Sequence, residues 1–200
     1  MSRLVLATRN AHKVGELQAI LADAGVDVSL VALPEGAPHV VEDGLSFAAN
    51  ALKKARSAAL ATGLPSIADD SGLCVDALSG MPGVFSARWA GSHGDDAANL
   101  GLVLDQVADL ADEHRGASFV CAAALVLPSG EERVAEGRLT GVLAREPRGT
   151  GGFGYDPAFV PDGHGRTTAE MSAEEKNAIS HRGVAFRELA PAIRELVVHD

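Results

Sequence analysis

Hydrophobic and polar positions along the first third of the chain predict strands separated by helices. The opening run RLVLA predicts a short buried strand, and the apolar positions after it recur every three to four residues up to Gly25. The run VDVSLVAL predicts a second strand. A second helix is predicted from Ser46, a suitable N-cap, to Gly63, a residue type that commonly ends helices.

The middle and the end of the chain predict further strands, three helices and a long loop. The run SIADDSGLCVDAL predicts a strand, a turn at Ser71–Gly72 and another strand. Residues 95–110 predict a helix whose inward face carries Leu100, Val103, Leu104 and Val107. Two strands joined by Pro128, Ser129 and Gly130 predict a hairpin. Residues 145–171 predict mostly loop, and two helices interrupted at Gly183 follow. This order favours an α/β fold with a mixed sheet.

Composition narrows the class of protein. The chain has 200 residues, 46% of them hydrophobic, which is enough for one large domain or two lobes that share a sheet. The net charge of −10 disfavours a nucleic acid polymer as partner, because backbone phosphates need a basic face. A small anionic ligand needs only a few local cations.

Cysteine usage and hydropathy predict the compartment. Cys74 and Cys121 lie in apolar, strand-like runs and are interpreted as reduced core residues, with a disulfide as the less favoured alternative. No run reaches the roughly 18 apolar residues of a membrane helix. The N-terminus lacks a signal-peptide pattern. We therefore expect a soluble cytoplasmic protein with no membrane partner.

The segment ATRNAHK, residues 7–13, lies where the first strand opens into the first helix. Unpaired N–H groups and the dipole at a helix start attract phosphate. Thr8 and Asn10 can donate hydrogen bonds, and Lys13 adds a positive charge. An N-cap with a surface lysine explains the segment equally well, and the Walker pattern is absent.

The second helix and the strand after it carry the other polar candidates of the first half. One helical face is shared by Ser46, Asn50, Lys53 and Ser57. Adjacent strand residues point to opposite faces, so either Asp69 or Asp70 can face a cleft while the other anchors the turn. Mg²⁺ takes one or two carboxylates together with phosphate oxygens. A solvated helix face and a capped turn are the competing interpretations.

The glycine-rich loop GTGGFGYDP, residues 149–157, is unusual because it contains two aromatic residues. Glycine has no Cβ, so the backbone can approach a flat ligand closely. Phe153 or Tyr155 could stack on a base and Asp156 could accept from a ring N–H; alternatively, the aromatic residues pin the loop into the core. Near the C-terminus, His181 and Arg182 are donors for carbonyl or phosphate oxygens, or cap a helix.

Taken together, these segments predict a nucleoside triphosphate site, and they resemble the inosine triphosphate pyrophosphatase family. The motifs LATRNAHK, LPSIADDSGL, PGVFSARWAG, REPRGTGGFGYDPAF and EKNAISHRG run in order from residue 4 to about 186. The resemblance implies a long mixed β-sheet flanked by helices, with residues 1–200 forming a single domain of two lobes and an active-site cleft between them. It also implies a homodimer that uses Mg²⁺ and hydrolyses the deaminated nucleotides ITP, dITP and XTP to monophosphate and pyrophosphate, which cleanses the nucleotide pool.

The resemblance also implies roles for individual residues. The triphosphate would be held by Thr8, Arg9, Asn10, Ala11, His12 and Lys13. The catalytic residues would be Asp70 as proton acceptor and Lys13 and Lys53 as phosphate-side cations. The metal ligands would be Glu42 and Asp70. Further substrate contacts would come from Ser71, Phe153, Gly154, Tyr155, Asp156, Lys176, His181 and Arg182.

Two departures from the family pattern bear on these roles. Arg9 stands where the family often has glycine, and Arg9 either points outward or adds a phosphate contact. Ala49 stands where the family often has glutamate, which makes Glu42 and Asp70 the better candidates for metal ligands.

Three other functions fit parts of the pattern. One is another nucleotide pyrophosphatase, such as a Maf-like enzyme, in which the motifs TGGFGYDP and SHRG are not expected. A non-enzymatic nucleotide sensor would bind ITP with Mg²⁺ but release no pyrophosphate. An RNA-binding module is disfavoured by the negative charge. The paired aspartates and the two lysines favour hydrolysis.

Overall fold

The computed structural model contains a mixed β-sheet. It describes residues 2–8 and 11–198, without the side chains of residues 11–13 and 16. Within these residues the strands are β1 (Ser2–Leu6), β2 (Val28–Ala32), β3 (Ser66–Val75), β4 (Gly116–Val126), β5 (Glu132–Leu143) and β6 (Phe159–Pro161). They lie in the order β2-β1-β3-β4-β5-β6. β1 is parallel to β2 and β3, whereas β5 and β6 are antiparallel, so the predicted mixed sheet is confirmed.

The sheet is flanked by helices, as predicted. They are α1 (Ala11–Asp23), α2 (Phe47–Thr62), α3 (Asp96–Gln106), α4 (Ala173–Ile179) and α5 (His181–Val197). Both predicted ends of α2 are confirmed. The Ser46 side chain accepts from the Ala49 N–H, and Gly63 adopts the left-handed conformation, with φ 66°, that glycine tolerates best. No helix in the described ranges is long and apolar enough to cross a membrane.

The chain divides into two compact units, each with a core. Unit 1 comprises Met1–Asp70, Cys121–Gly137 and Arg182–Asp200, and unit 2 comprises Ser71–Val120 and Arg138–His181. In unit 1, α1 and α5 contribute Leu17, Leu21 and Phe186 to a cluster that also contains β-strand residues. In unit 2, the inward face predicted for the third helix is confirmed by the buried Leu100 and Val103. Cys74 and Cys121 form no disulfide.

The predicted turn at Ser71–Gly72 is wrong, because β3 runs through both residues as one ten-residue strand. Gly72 is required here for close approach rather than for turning. A Cβ on Gly72 would lie 2.3 Å from the Ser86 Oγ. That hydroxyl accepts from the Leu73 N–H at 2.9 Å, so the chain packs against the strand where a side chain would stand.

The predicted helix break at Gly183 is also misplaced. α4 ends at Ile179, Ser180 is extended with φ −62° and ψ 141°, and α5 begins at His181. Gly183 is a buried residue within the first turn of α5. The break therefore comes from the extended backbone of Ser180, and His181 and Arg182 open the last helix.

Candidate active site

The segment between β1 and α1 has the predicted strand-to-helix form. β1 ends at Leu6, and the Thr8 N–H donates to the Leu6 carbonyl at 2.8 Å, which turns the chain tightly before α1. Outside the described part lie Arg9, Asn10 and the side chains of Ala11, His12 and Lys13. Their phosphate contacts stay predictions.

Two carboxylates and one ammonium group form an ion cluster in unit 1. The Lys54 Nζ lies 2.8 Å from Glu42 Oε1 and 3.1 Å from Asp70 Oδ1. The side chains of Lys54 and Asp70 are largely buried, with 16% and 12% of their surface exposed. Because solvent screens such a cluster weakly, its charges interact more strongly than surface pairs do.

Burial and neighbouring charges shift the pKa values of this cluster. Burial raises the pKa of Asp70, and Lys54 opposes that shift while Glu42 reinforces it. Burial lowers the pKa of Lys54, but the nearby Asp70 and Glu42 raise it by more, so its pKa is raised overall. The Lys54 ammonium therefore stays charged, and Asp70 accepts a proton more readily than an exposed aspartate does.

Lys54, rather than its neighbour Lys53, is the lysine of the ion cluster. Lys53 pairs with Asp43, and both side chains are considerably more exposed, at 41% and 68%. The apolar pattern of α2 contained a signal for Lys54. It lies three residues after Ala51 and four before Ala58, which are both buried, so it borders the inward face of the helix.

Asp69, the other member of the acidic pair, holds an arginine. The Arg182 Nε donates to Asp69 Oδ2 at 3.0 Å, and the two side chains are 7% and 2% exposed. At least one of the five guanidinium N–H donors is thus committed to Asp69. Asp69 also lines a cavity of about 230 Å³ in unit 1, together with Thr8, Glu42 and Lys54.

The donor set of unit 1 fits a hard cation that also binds phosphate. Among the described residues, no group of three or more His, Cys, Asp or Glu side chains is arranged to hold a metal ion. Mg²⁺ does not require one, because it commonly takes one or two carboxylates plus substrate phosphates. Glu42 and Asp70 already converge on one positive charge, the Lys54 ammonium.

In unit 2, the glycine-rich loop is held by a buried carboxylate. Asp156 is 3% exposed, and its Oδ2 accepts from the Phe153 N–H at 2.8 Å and from the Lys176 Nζ at 2.5 Å. The Thr168 hydroxyl donates to Asp156 Oδ1 at 2.8 Å. A Cβ on Gly152 would lie 2.1 Å from Asp156 Oδ2, so this glycine lets the loop close on its own carboxylate.

The two aromatic residues of the loop have different environments. The Phe153 ring is 64% exposed, and the Lys176 Nζ lies 5.0 Å from its centroid. Tyr155 is 5% exposed in the core of unit 2, and its hydroxyl donates to the Ser86 carbonyl at 2.8 Å. Tyr155 thus pins the loop into the core, as one of the two sequence interpretations predicts. The Phe153 ring is exposed, and its stacking on a base stays a prediction.

The remaining predicted contacts lie on ordered elements. The His181 ring stacks on Phe119, with centroids 5.0 Å apart and planes 14° from parallel. Ser71 is a partly buried residue of β3. The Gly154 N–H donates to Asp96 Oδ2 at 2.9 Å. The structure thus groups Phe153, Asp156 and Lys176 in unit 2, as it groups Glu42 and Asp70 in unit 1.

The fold is that of an α/β protein with a mixed six-stranded sheet flanked by helices. The model of the Ham1 family matches residues 4–192. The chain therefore belongs to the Ham1 family.

Relatives and solved structures match this chain over nearly its full length. A Streptomyces coelicolor protein named dITP/XTP pyrophosphatase is 66% identical over 200 residues, covering 98% of this chain and all of the relative. A crystal structure titled nucleoside-triphosphatase / dITP/XTP pyrophosphatase from Mycobacterium abscessus is 55% identical with a TM-score of 0.79, covering 96% of this chain and 98% of that one. A HAM1 protein structure from Coxiella burnetii is 43% identical with a TM-score of 0.89, covering 98% and 100%. The family resemblance recognised in the sequence is confirmed.

Proposed function

We propose that this protein hydrolyses dITP, XTP and ITP to the corresponding monophosphate and pyrophosphate. The observation that carries the proposal is the partly buried cluster of Glu42, Lys54 and Asp70, which combines metal-ligand oxygens with a cation suited to phosphate. The names of the full-length relatives supply the substrate class. Membership of the Ham1 family disfavours the alternative of a Maf-like enzyme.

The residues of unit 1 serve the reacting phosphates. Water attacks the α-phosphorus, and the bond from that phosphorus to the oxygen that bridges the α- and β-phosphates breaks, which releases pyrophosphate. The water proton passes to an Asp70 carboxylate oxygen. The ammonium of Lys54 offsets the charge that develops on the departing pyrophosphate. The Lys13 side chain, outside the described part, has the same role as predicted from the sequence.

Glu42 and Asp70 would hold the Mg²⁺ ion. When bound, the ion neutralises phosphate charge and acidifies the attacking water. The Lys54 ammonium between the two carboxylates supports this assignment, because it shows that both oxygens can face one cation. We further propose that the protein acts as a homodimer, for which sedimentation should give twice the mass of the chain.

Residues that are held in place by their neighbours would select the base. Hypoxanthine and xanthine carry an oxygen at C6 where adenine carries an amino group, so N–H donors at that edge favour the deaminated bases. Lys176, His181 and Arg182 are the proposed donors. Each is oriented by a neighbour, respectively Asp156, Phe119 and Asp69. Tyr155 and Asp156 support the loop from within, and Phe153 stacks on the base.

Replacing Phe153 by alanine should weaken substrate binding more than it slows the chemical step. Loss of a stacking ring costs about 1–3 kcal/mol, so we expect KM for dITP to rise by about tenfold while kcat falls less than about threefold. Steady-state kinetics measure both. The matched control is Phe85→Ala, since Phe85 is another exposed phenylalanine of unit 2, at 39%. Equal KM for wild type and Phe153→Ala would remove Phe153 from the base site.

A substrate panel tests the function. Purified protein is mixed with dITP, XTP, ITP, dATP or dGTP, with Mg²⁺ or with chelator, and pyrophosphate and free phosphate are measured separately. We expect pyrophosphate from the first three nucleotides and only with the metal. Nucleotide binding without pyrophosphate release would identify a sensor instead, and free phosphate as first product would contradict attack at the α-phosphorus.

A further inference from the structure

Asn50 is a buried polar residue of unit 1 that contacts Asp70. It is 1% exposed and lies in the first turn of α2. Its Nδ2 donates to Asp70 Oδ2 at 3.1 Å, and its Oδ1 accepts from the Gly44 N–H at 2.8 Å. These two partners fix the orientation of the buried amide. If the amide were flipped, its oxygen would face the Asp70 carboxylate and its NH2 group would face the Gly44 N–H.

The helix register makes this contact part of a two-point grip on Asp70. Asn50 and Lys54 are four residues apart and therefore neighbours on one face of α2. Lys54 holds Asp70 Oδ1, and Asn50 holds Oδ2. Both oxygens of the carboxylate are thus bound by one rigid helix, which fixes its position and its rotation.

The second partner of Asn50 extends the grip to Glu42. Gly44 is two residues after Glu42 and two before Ser46, the N-cap of α2. A Cβ on Gly44 would lie 2.6 Å from Asn50 Oδ1 and 2.9 Å from the Ala49 Cβ. Glycine at this position is what allows the backbone N–H to reach the amide. The amide therefore joins the segment bearing Glu42 to the carboxylate of Asp70.

From these contacts we infer that Asn50 is a positioning residue that keeps the carboxylates of Asp70 and Glu42 aligned for one divalent cation. The inference rests on the proposed function, in which these carboxylates are the metal ligands. Asn50 acts through Asp70 and Gly44 and touches neither substrate nor metal. Outer partners of metal ligands typically change metal affinity or activity by about 10–100-fold when they are lost.

Asn50→Leu is the principal test, because leucine fills similar space without hydrogen bonds. We expect kcat for dITP to fall by about 10–100-fold, KM to stay within about threefold, and Mn²⁺ binding without nucleotide, followed by electron paramagnetic resonance, to weaken by about tenfold. The control is Asn99→Leu. Asn99 is also 1% exposed, but its Oδ1 accepts from the Ala90 N–H in unit 2.

Gly44→Ala approaches the same contact from the other side and serves if Asn50→Leu does not fold. The added Cβ should displace the Gly44 N–H from Asn50 and reproduce the loss of kcat and of Mn²⁺ affinity. The control is Gly101→Ala, since nothing lies within 4 Å of a Cβ on Gly101.

A double-mutant cycle separates positioning from general destabilisation. In an Asp70→Asn background, Asn50→Leu should change the Mn²⁺ dissociation constant by clearly less than the about tenfold change expected in the wild-type background, because only the link through Gly44 to Glu42 remains. Full additivity, or losses no larger than in Asn99→Leu, would overturn the inference. If the wild-type protein released no pyrophosphate from dITP, the proposed function would fail, while the Mn²⁺ comparison would still decide the role of Asn50.

Discussion

Asp70→Asn should lose roughly 10³-fold or more in kcat for dITP, since the variant lacks both the proton acceptor and a metal ligand. Asparagine keeps the size of the side chain and one oxygen, which can accept from Lys54 or from the Asn50 amide but not from both, so the fold should persist with one hydrogen bond lost. Pyrophosphate release under saturating dITP and Mg²⁺ measures the effect. The matched control is Asp43→Asn, the same change at an exposed carboxylate of unit 1 that pairs with Lys53.

The same variant should keep most of its thermal stability. Burial raises the pKa of Asp70 above its ordinary value, so the ionised carboxylate is less favourable in the folded than in the unfolded chain. Its ionisation therefore costs stability as the pH rises through the raised pKa, and neutral asparagine removes that cost. We expect a melting temperature at pH 7.5 within a few degrees of wild type, because the removed cost of ionisation offsets the lost hydrogen bond, together with near-complete loss of turnover. Near-normal turnover would remove Asp70 from the catalytic residues.

Lys54→Met should lower kcat by about 10²–10³-fold, which is the usual effect of removing one preorganised group that stabilises developing charge. Lys53→Met should change kcat less than about threefold, because the partly exposed pair of Lys53 and Asp43 is screened by solvent. The two variants carry the same substitution at adjacent positions of α2, so they have the same composition and the same net charge. They differ only in which lysine side chain is lost, so each variant serves as the control for the other.

The outcome also decides between the sequence-based and the structure-based assignment. The family resemblance implies Lys53 as a phosphate-side cation, and that assignment stays a prediction until the pair of variants is measured. Strong loss in Lys53→Met with little change in Lys54→Met would restore it. Melting temperatures are needed beside the kinetics, because Lys54→Met leaves Glu42 and Asp70 without their shared cation.

Local chemistry is what made parts of the fold predictable from the sequence. Ser46 and Gly63 were assigned as the ends of α2 because a side-chain cap and a left-handed glycine are short-range requirements. The inward face of α3 followed from the spacing of Leu100 and Val103. Signals of this kind require only a few neighbouring residues.

Features that depend on distant partners were missed or misread. Ser71–Gly72 looked like a turn, whereas both residues lie within β3. Glycine is needed at position 72 because Ser86 packs where a Cβ would be. The pair of Asp69 and Arg182 joins residues 113 positions apart, and no local pattern encodes it. The acidic pair and the glycine-rich loop were recognised as candidate chemistry, but which carboxylate holds which cation depends on tertiary packing.

The central claim, water attack on the α-phosphorus of a deaminated purine triphosphate, is tested most directly with isotopically labelled water. The protein is allowed to hydrolyse dITP in H₂¹⁸O with Mg²⁺, and both products are analysed by mass spectrometry. We predict one ¹⁸O atom in dIMP and none in pyrophosphate. Label in pyrophosphate would mean attack at the β-phosphorus, and labelled free phosphate would mean attack at the γ-phosphorus. Either result would contradict the account.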